Sequence, residues 1–199
     1  YGGGEPVGTF MDISDPYYVD FTGLYPYDPA AARRRLADSG FDQSEPLVMA
    51  LPENYEAHVR AGEMYQEMLE DVGLDVELQL VDWSTWINDV YIGGNYDFTV
   101  IGHTGKLDPD GRLSGYGSES NYVNWINDEA ASAIAEARVT ADVGERRDLY
   151  ARALELMARE VPHVYVGTSY RYIGLRSNVS GFHQDAKLDT FDFRFVEIE

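Results

Sequence analysis

Between Leu47 and Ile101 the spacing of apolar residues changes several times, and each change marks an element. "PLVMAL" at 46–51 reads as a short apolar strand. Ala57, Ala61, Met64, Tyr65, Met68, Leu69 and Val72 then recur at steps of three and four, the stripe of an amphipathic helix that Gly73 ends. In "LDVELQLV" the period falls to two, with Leu74, Val76, Leu78 and Leu80 on one face and Asp75, Glu77 and Gln79 on the other. A short helix around 84–91 follows. A strand at 96–101, built on Tyr96, Phe98, Val100 and Ile101, completes the stretch.

The flanks carry further helical signals. In "YDPAAARRRLADSGF", Asp28 suits an N-cap, Pro29 a first helical position and Gly40 a C-terminal stop, which predicts a helix over 29–38. Residues 102–125 form a long polar loop with glycines at 102, 105, 111, 115 and 117. Helices are predicted at 128–138 and 143–159. The second buries Leu149, Tyr150, Ala153, Leu154, Met157 and Ala158, and Pro162 stops it. "HVYVGTSYRYIGL" reads as one or two strands. In the tail "DTFDFRFVEI", Phe191, Phe193 and Phe195 alternate with Asp192, Arg194 and Val196, a pattern that calls for a partner surface. Residues 1–27 are rich in Gly, Pro and Tyr and lack helical periodicity.

Helix and strand alternate three times from residue 29 to residue 101, which predicts an α/β layer with right-handed crossovers. Ligands in such layers collect beyond the carboxyl ends of the strands. The segment "GHTGKLDPDG" leaves the 96–101 strand at that end, which favours a binding role for it.

Composition narrows the classes. The 199 residues fit one large domain, or one domain with an appendage, and 44% apolar with 13% aromatic residues is a globular balance. A net charge of −20 argues against a nucleic-acid partner, which wants clustered cations. Lys106 and Lys187 are the only lysines, a bias that fits a salt-rich habitat and a GC-rich genome equally. Without cysteine there is neither a disulfide nor a thiolate metal site. No apolar run approaches the roughly 20 residues of a membrane span. Tyr1 opens without a basic leader, so no signal peptide is expected within this chain, and an exported parent would carry its signal outside it.

Catalysis finds little support. His103, Asp108 and Asp110 are the only compact acid/base cluster, and neither Gly-x-Ser-x-Gly nor His-Glu-x-x-His occurs. "DPDG" departs from the calcium-loop pattern, with Pro109 wrong for its turn, and His58, His163 and His183 lack metal spacing. No catalytic residue, metal or cofactor is therefore expected.

Five segments together resemble one family. "YDPAAARRRLADSG", "MLEDVGLDVELQLVDW", "NYDFTVIG", "DPDGRL" and "ADVGERRDLYARALELMAREVP" occur in the order seen in family 5 extracellular solute-binding proteins, the receptors of oligopeptide, dipeptide and nickel ABC importers. The resemblance covers about residues 25–166. It implies a periplasmic-binding-protein-like (type II) lobe, a mixed sheet flanked by helices. It also implies capture without chemistry, with a peptide or other small polar solute held between two lobes and delivered to an ABC permease outside the cytoplasm, the parent being lipid-anchored. Residues 1–24 would then be a crossover from a missing N-terminal large lobe, 25–166 the ligand-binding C-terminal lobe, and 167–199 strands returning toward the large lobe.

The resemblance also implies site residues. Trp83 falls where the family has an aromatic in the pocket wall, with Trp86 beside it; the competing reading for both is packing of helix on sheet. In peptide-binding members an Asp of the 102–110 loop pairs with the ligand's α-ammonium group. Counting back from Asp108-Pro109, that position is Gly105, and the usual Trp three residues earlier is Gly102. A glycine cannot neutralise a buried ammonium, and leaving one unpaired costs about 3–5 kcal/mol. The amine clamp is then absent unless Asp108 or Asp110 supplies it, and a less charged ligand such as an oligosaccharide gains weight. His103 keeps a polar group in the wall. Asn121 and Trp125 suit hydrogen bonding plus stacking, against a reading as helix cap and core. A protein-interaction module built on Tyr17-Tyr18, Tyr170, Tyr172 and the aromatic tail is the alternative function.

Overall fold

The computed structural model describes residues 2–118, 122–170, 172–185 and 190–199. In chain order its elements are β1 (Gly4–Glu5), α1 (Pro29–Ser39), β2 (Leu47–Pro52), α2 (Glu56–Asp71), β3 (Val76–Val81), α3 (Trp83–Thr85) running into a π-helical segment (Trp86–Ile92), α4 (Asp110–Leu113), α5 (Asp128–Val139), α6 (Val143–Glu160), β4 (Thr168–Ser169), β5 (Val179–Ser180), β6 (His183–Asp185), β7 (Thr190–Asp192) and β8 (Glu197–Ile198). The chain forms two compact units. One is Pro26–His103 with Tyr122–Asn124. The other is Tyr1–Tyr25, Thr104–Asn121 and Trp125–Glu199.

In the Pro26–His103 unit, α1 starts as its sequence predicts. Asp28 accepts a hydrogen bond from the Ala31 amide at 2.9 Å, Pro29 opens the helix, and Gly40 closes it in the left-handed region at φ 68°. Arg33 donates twice to the Asp71 carbonyl, tying α1 to the end of α2. β2 and β3 run parallel in register from Leu47 opposite Val76 to Pro52 opposite Val81, with α2 as the connection between them. Met49 and Leu51 pack with Val76 under Val59, Tyr65 and Leu69 of α2, while Ala50 packs with Trp86 and Val90. β2 is thus covered on both faces, which is why it reads as an unbroken apolar run.

Three expectations change here. The buried line of α2 passes through Val59, Gly62, Tyr65 and Leu69, and Met64 and Met68 are exposed. The alternation of β3 holds through Leu78, but Leu80 is exposed. The 96–101 strand reduces to one parallel bridge between Met49 and Phe98. Side chains take the flanking ladder positions: Val48 N donates to Asp97 Oδ2 at 2.8 Å, and Thr99 Oγ1 donates to the Ala50 carbonyl at 2.7 Å.

In the second unit, α5 and α6 pack against each other. Ala130, Ala133, Ile134 and Ala137 are the buried side of α5, and Tyr150, Ala153, Leu154, Met157 and Ala158 that of α6. Asn127 and Asp142 cap their starts through Ala130 N and Glu145 N. β1 pairs antiparallel with β4. The 163–175 segment, read as one or two strands, contributes only β4 to this pairing among the described residues. The tail is not one continuous strand: β7 pairs with β6 and β8 with β5, and Phe193 and Phe195 between them are exposed. The polar loop is also partly built into this unit, since Pro109, Leu113 and Tyr116 are buried and α4 lies within it. No helix among the described residues is long and apolar enough to cross a membrane.

Candidate functional site

The Pro26–His103 unit carries a row of aromatic rings beyond β3. Asp82 starts it by capping α3, accepting from the amides of Ser84 at 2.9 Å and Thr85 at 3.1 Å and from Thr85 Oγ1 at 2.6 Å. This cap fixes where Trp83 leaves the chain. The Trp83 ring lies parallel to Trp86, with planes 4° apart and centroids at 5.1 Å. Trp86 is 2% exposed and donates from Nε1 to Thr99 Oγ1 at 3.0 Å. Tyr91 stacks on Trp86 at 6.0 Å, and Tyr122 lies against Tyr91 at 5.0 Å. His103 Nε2 and Tyr122 OH share a hydrogen bond of 2.8 Å, and Tyr96 OH donates to the Tyr122 carbonyl at 2.9 Å.

At the other end Tyr55 meets Trp83 edge to face at 5.2 Å and packs on His58 at 5.1 Å. His58 Nδ1 is buried and has no hydrogen-bond partner among the described residues, and a Cβ on Gly102 would lie 3.3 Å from its Nε2. Burial pushes the His58 pKa down, favouring the neutral imidazole. Trp83, Tyr91 and Tyr55 are 40%, 46% and 40% exposed, so the row offers half-open rings over a buried Trp86.

The π-helical segment makes this row possible. Trp86 and Val90 face the core, and the wider turn brings the half-exposed Tyr91 round toward Trp86. An ordinary 3.6-residue period would not bring Trp86 and Tyr91, five positions apart, against each other. Of the residues in this row, the sequence reading named Trp83, Trp86 and His103 as site candidates and did not name Tyr91, Tyr55 or His58. Tyr122 was within view as the neighbour of Asn121 but carried no distinguishing spacing.

In the second unit the loop that follows His103 is clamped by arginines. Arg146 donates from Nη2 to both carboxylate oxygens of Asp108 at 2.9 Å, from Nη1 to Tyr17 OH at 3.1 Å, and from Nε to the Ala137 carbonyl at 2.9 Å. Its guanidinium also packs against the Tyr17 and Tyr150 rings, 5.5 and 5.2 Å from their centroids. Burial alone would lower the Arg146 pKa, but the hydrogen bonds to Asp108 and Tyr17 hold it above the ordinary arginine value. Arg138 Nε pairs with Asp110 at 2.9 Å, and Arg112 donates to the Thr104 carbonyl. Asp108, expected in the pocket wall, thus has its charge matched by Arg146, and its Oδ1 also accepts from the Asp110 amide at the start of α4. Asp110 is matched in the same way by Arg138.

The remaining candidates are placed as follows. Gly105 is exposed in this unit. Trp125 is buried and donates from Nε1 to Glu160 at 2.7 Å, the same carboxylate that accepts from Asn127 at 2.8 Å. Asn121 lies outside the described residues. Among the described residues no group of His, Asp and Glu could hold a metal ion.

The profile of the bacterial extracellular solute-binding proteins, family 5 (middle region), matches residues 1–124. The chain belongs to this family. It is 29% identical over 192 residues to di/tripeptide-binding protein 1 of Pseudomonas aeruginosa, covering 91% of this chain and 35% of that relative. The chain therefore spans about a third of the length of that relative. Among solved structures, HbpA2 from Haemophilus parasuis superposes with a TM-score of 0.84 at 21% identity, over 100% of this chain and 41% of that one. The oligopeptide-binding protein AppA from Bacillus subtilis, in complex with a nonapeptide, superposes with a TM-score of 0.82 at 18% identity, over 100% and 43%. The family member thus has the α/β, type II periplasmic-binding-protein-like architecture of these neighbours.

Proposed function

We propose that this family 5 chain supplies part of a receptor that captures a peptide outside the cytoplasm and hands it to an ABC permease. The observation that carries this reading is the aromatic row, in which half-open Trp83 and Tyr91 flank a buried and hydrogen-bonded Trp86 and half-open Tyr55 extends the row from Trp83. Amide planes stack on such rings, and the His103–Tyr122 pair adds polar anchoring at one end. The peptide class rests on the relatives, which are named for di- and tripeptides and for an oligopeptide. No relative reported above favours an oligosaccharide.

The mechanism needs no chemistry. A second lobe, in a part of the protein beyond this chain, closes over the ligand and excludes water, and the closed form docks on the permease. The pairing of β1 with β4 supports reading residues 1–24 and 167–199 as the strands that cross between lobes. A lipid anchor on the parent belongs to the same reading.

A thermal-shift screen of the complete protein against di- to pentapeptides and small oligosaccharides tests it. Peptides should raise Tm by several degrees, since a ligand at 100 times its Kd adds about 2.7 kcal/mol. A rise with sugars alone would overturn the peptide class. No rise with either would favour the interaction-module alternative.

A further inference from the structure

The segment Tyr122–Asn124 belongs to the Pro26–His103 unit, although it lies apart from the rest of that unit in sequence. At Tyr122 its attachments are those of the aromatic row: the ring lies against Tyr91, the hydroxyl shares a hydrogen bond with His103 Nε2, and the carbonyl accepts from Tyr96 OH. Asn124 stands at the other end, and the capture reading gives it no task. Its backbone is left-handed, at φ 52°, a conformation uncommon for a residue with a Cβ and one that asparagine tolerates better than most. Its side chain covers Gly94. A Cβ added to Gly94 would lie 3.0, 3.6 and 3.7 Å from Asn124 Nδ2, Oδ1 and Cγ. Gly94 is itself left-handed, at φ 67°, and its amide donates to the Val90 carbonyl at 3.0 Å, just past the π-helical segment that carries Trp86 and Tyr91. The Asn124 side chain therefore rests on bare backbone at the foot of the row.

We infer that Asn124 is a positioning residue of the ligand site and acts through Tyr122. The inference rests on the peptide-capture reading. Asn124 is exposed, so its side chain does little for the core, and its effect is local. The Tyr96 hydroxyl fixes one backbone point of the segment, at the Tyr122 carbonyl. The contact of Asn124 with Gly94 fixes a second point, two residues on. Two points set the direction of the chain between them, and with it the direction in which the Tyr122 side chain leaves. The ring then has one station, against Tyr91 and His103. A ring held there before the ligand arrives loses little freedom on binding, whereas a loosened one must be ordered at the ligand's expense.

Two measurements on the complete protein test this. Asn124→Gly accepts the left-handed backbone and deletes only the side chain over Gly94, while Asn124→Asp keeps a side chain of the same shape. NMR of the ligand-free protein with labelled histidine reads the His103 imidazole, and Tyr122→Phe marks the shift that loss of its hydrogen bond produces. Asn124→Gly should move His103 in the direction of Tyr122→Phe, and Asn124→Asp should leave it near the wild-type position. Isothermal titration then uses the peptide that shifts Tm most in the screen above. Asn124→Gly should weaken its Kd roughly three- to tenfold, and should add no further loss in a Tyr122→Ala background. A role independent of Tyr122 would give additive losses instead. An unmoved His103 in Asn124→Gly, or additive losses, would overturn the inference while leaving peptide capture standing. Failure of the wild type to bind any peptide would overturn the capture reading, and the His103 comparison, made without ligand, would still decide whether Asn124 positions Tyr122.

Discussion

Trp83 and Trp86 lie parallel, 5.1 Å apart, yet one is 40% exposed and the other 2%. Two tryptophans three positions apart thus divide their tasks. Trp86 fills the space beside Ala50 and Val90, and Trp83 shows one side to solvent. Trp86→Ala should cost about 3–5 kcal/mol, the range for emptying a buried aromatic site. Trp83→Ala should cost under about 1 kcal/mol. Urea denaturation of the two variants measures the difference, and equal losses would remove Trp83 from the surface.

Arg146 uses all three guanidinium nitrogens, on Asp108, Tyr17 and the Ala137 carbonyl. Lysine cannot reproduce that fork. Arg146→Lys should therefore destabilise almost as much as Arg146→Met, by about 2 kcal/mol in each case. Asp108→Asn, at a carboxylate about half exposed, should cost less, about 1 kcal/mol. Thermal melts of the three variants check the order, and a fully stable Arg146→Lys would contradict the clamp.

How much of this was legible in the sequence follows from which interactions are local. Asp28, Pro29 and Gly40 marked α1 because caps act within one turn. β2 was legible because both its faces are buried. The 96–101 strand was overread because Asp97 and Thr99 place side-chain atoms where ladder amides and carbonyls were expected. The tail was overread because alternation does not show a turn between β7 and β8. At the site, Trp83 and His103 came from resemblance. Tyr91 could not come from helical spacing, because the π-helical segment sets its contact with Trp86. The pairing of Asp108 with Arg146 joins residues 38 positions apart, which no local pattern encodes.

Gly62 faces Leu51 in the core, where an added Cβ would lie 2.4, 3.1 and 3.3 Å from the three nearest Leu51 carbons. Alanine is the better helix former by about 1 kcal/mol. Overpacking a fully buried leucine costs about 1–3 kcal/mol. The clash should win, so Gly62→Ala lowers stability despite the gain in propensity. A higher denaturation midpoint for the variant would contradict the packing described for α2.

His58 has its pKa depressed by burial from the ordinary value of 6.5. Below pH 6.5 the unfolded chain takes up this proton before the folded one does. The stability linked to His58 is therefore complete above pH 6.5 and lost as pH falls from there through the folded pKa. Between pH 7 and pH 5 the wild type should lose more stability than His58→Gln. Parallel pH profiles for the two proteins would contradict a His58 pKa depressed by burial.

The measurement that tests the central claim most directly is isothermal titration of the complete protein, as wild type and as Trp83→Ala, with the peptide that shifts Tm most. The aromatic row as ligand platform predicts a Kd at least tenfold weaker for the variant, with its fold intact by denaturation. An unchanged Kd in a folded variant would contradict it and remove Trp83 from the binding site.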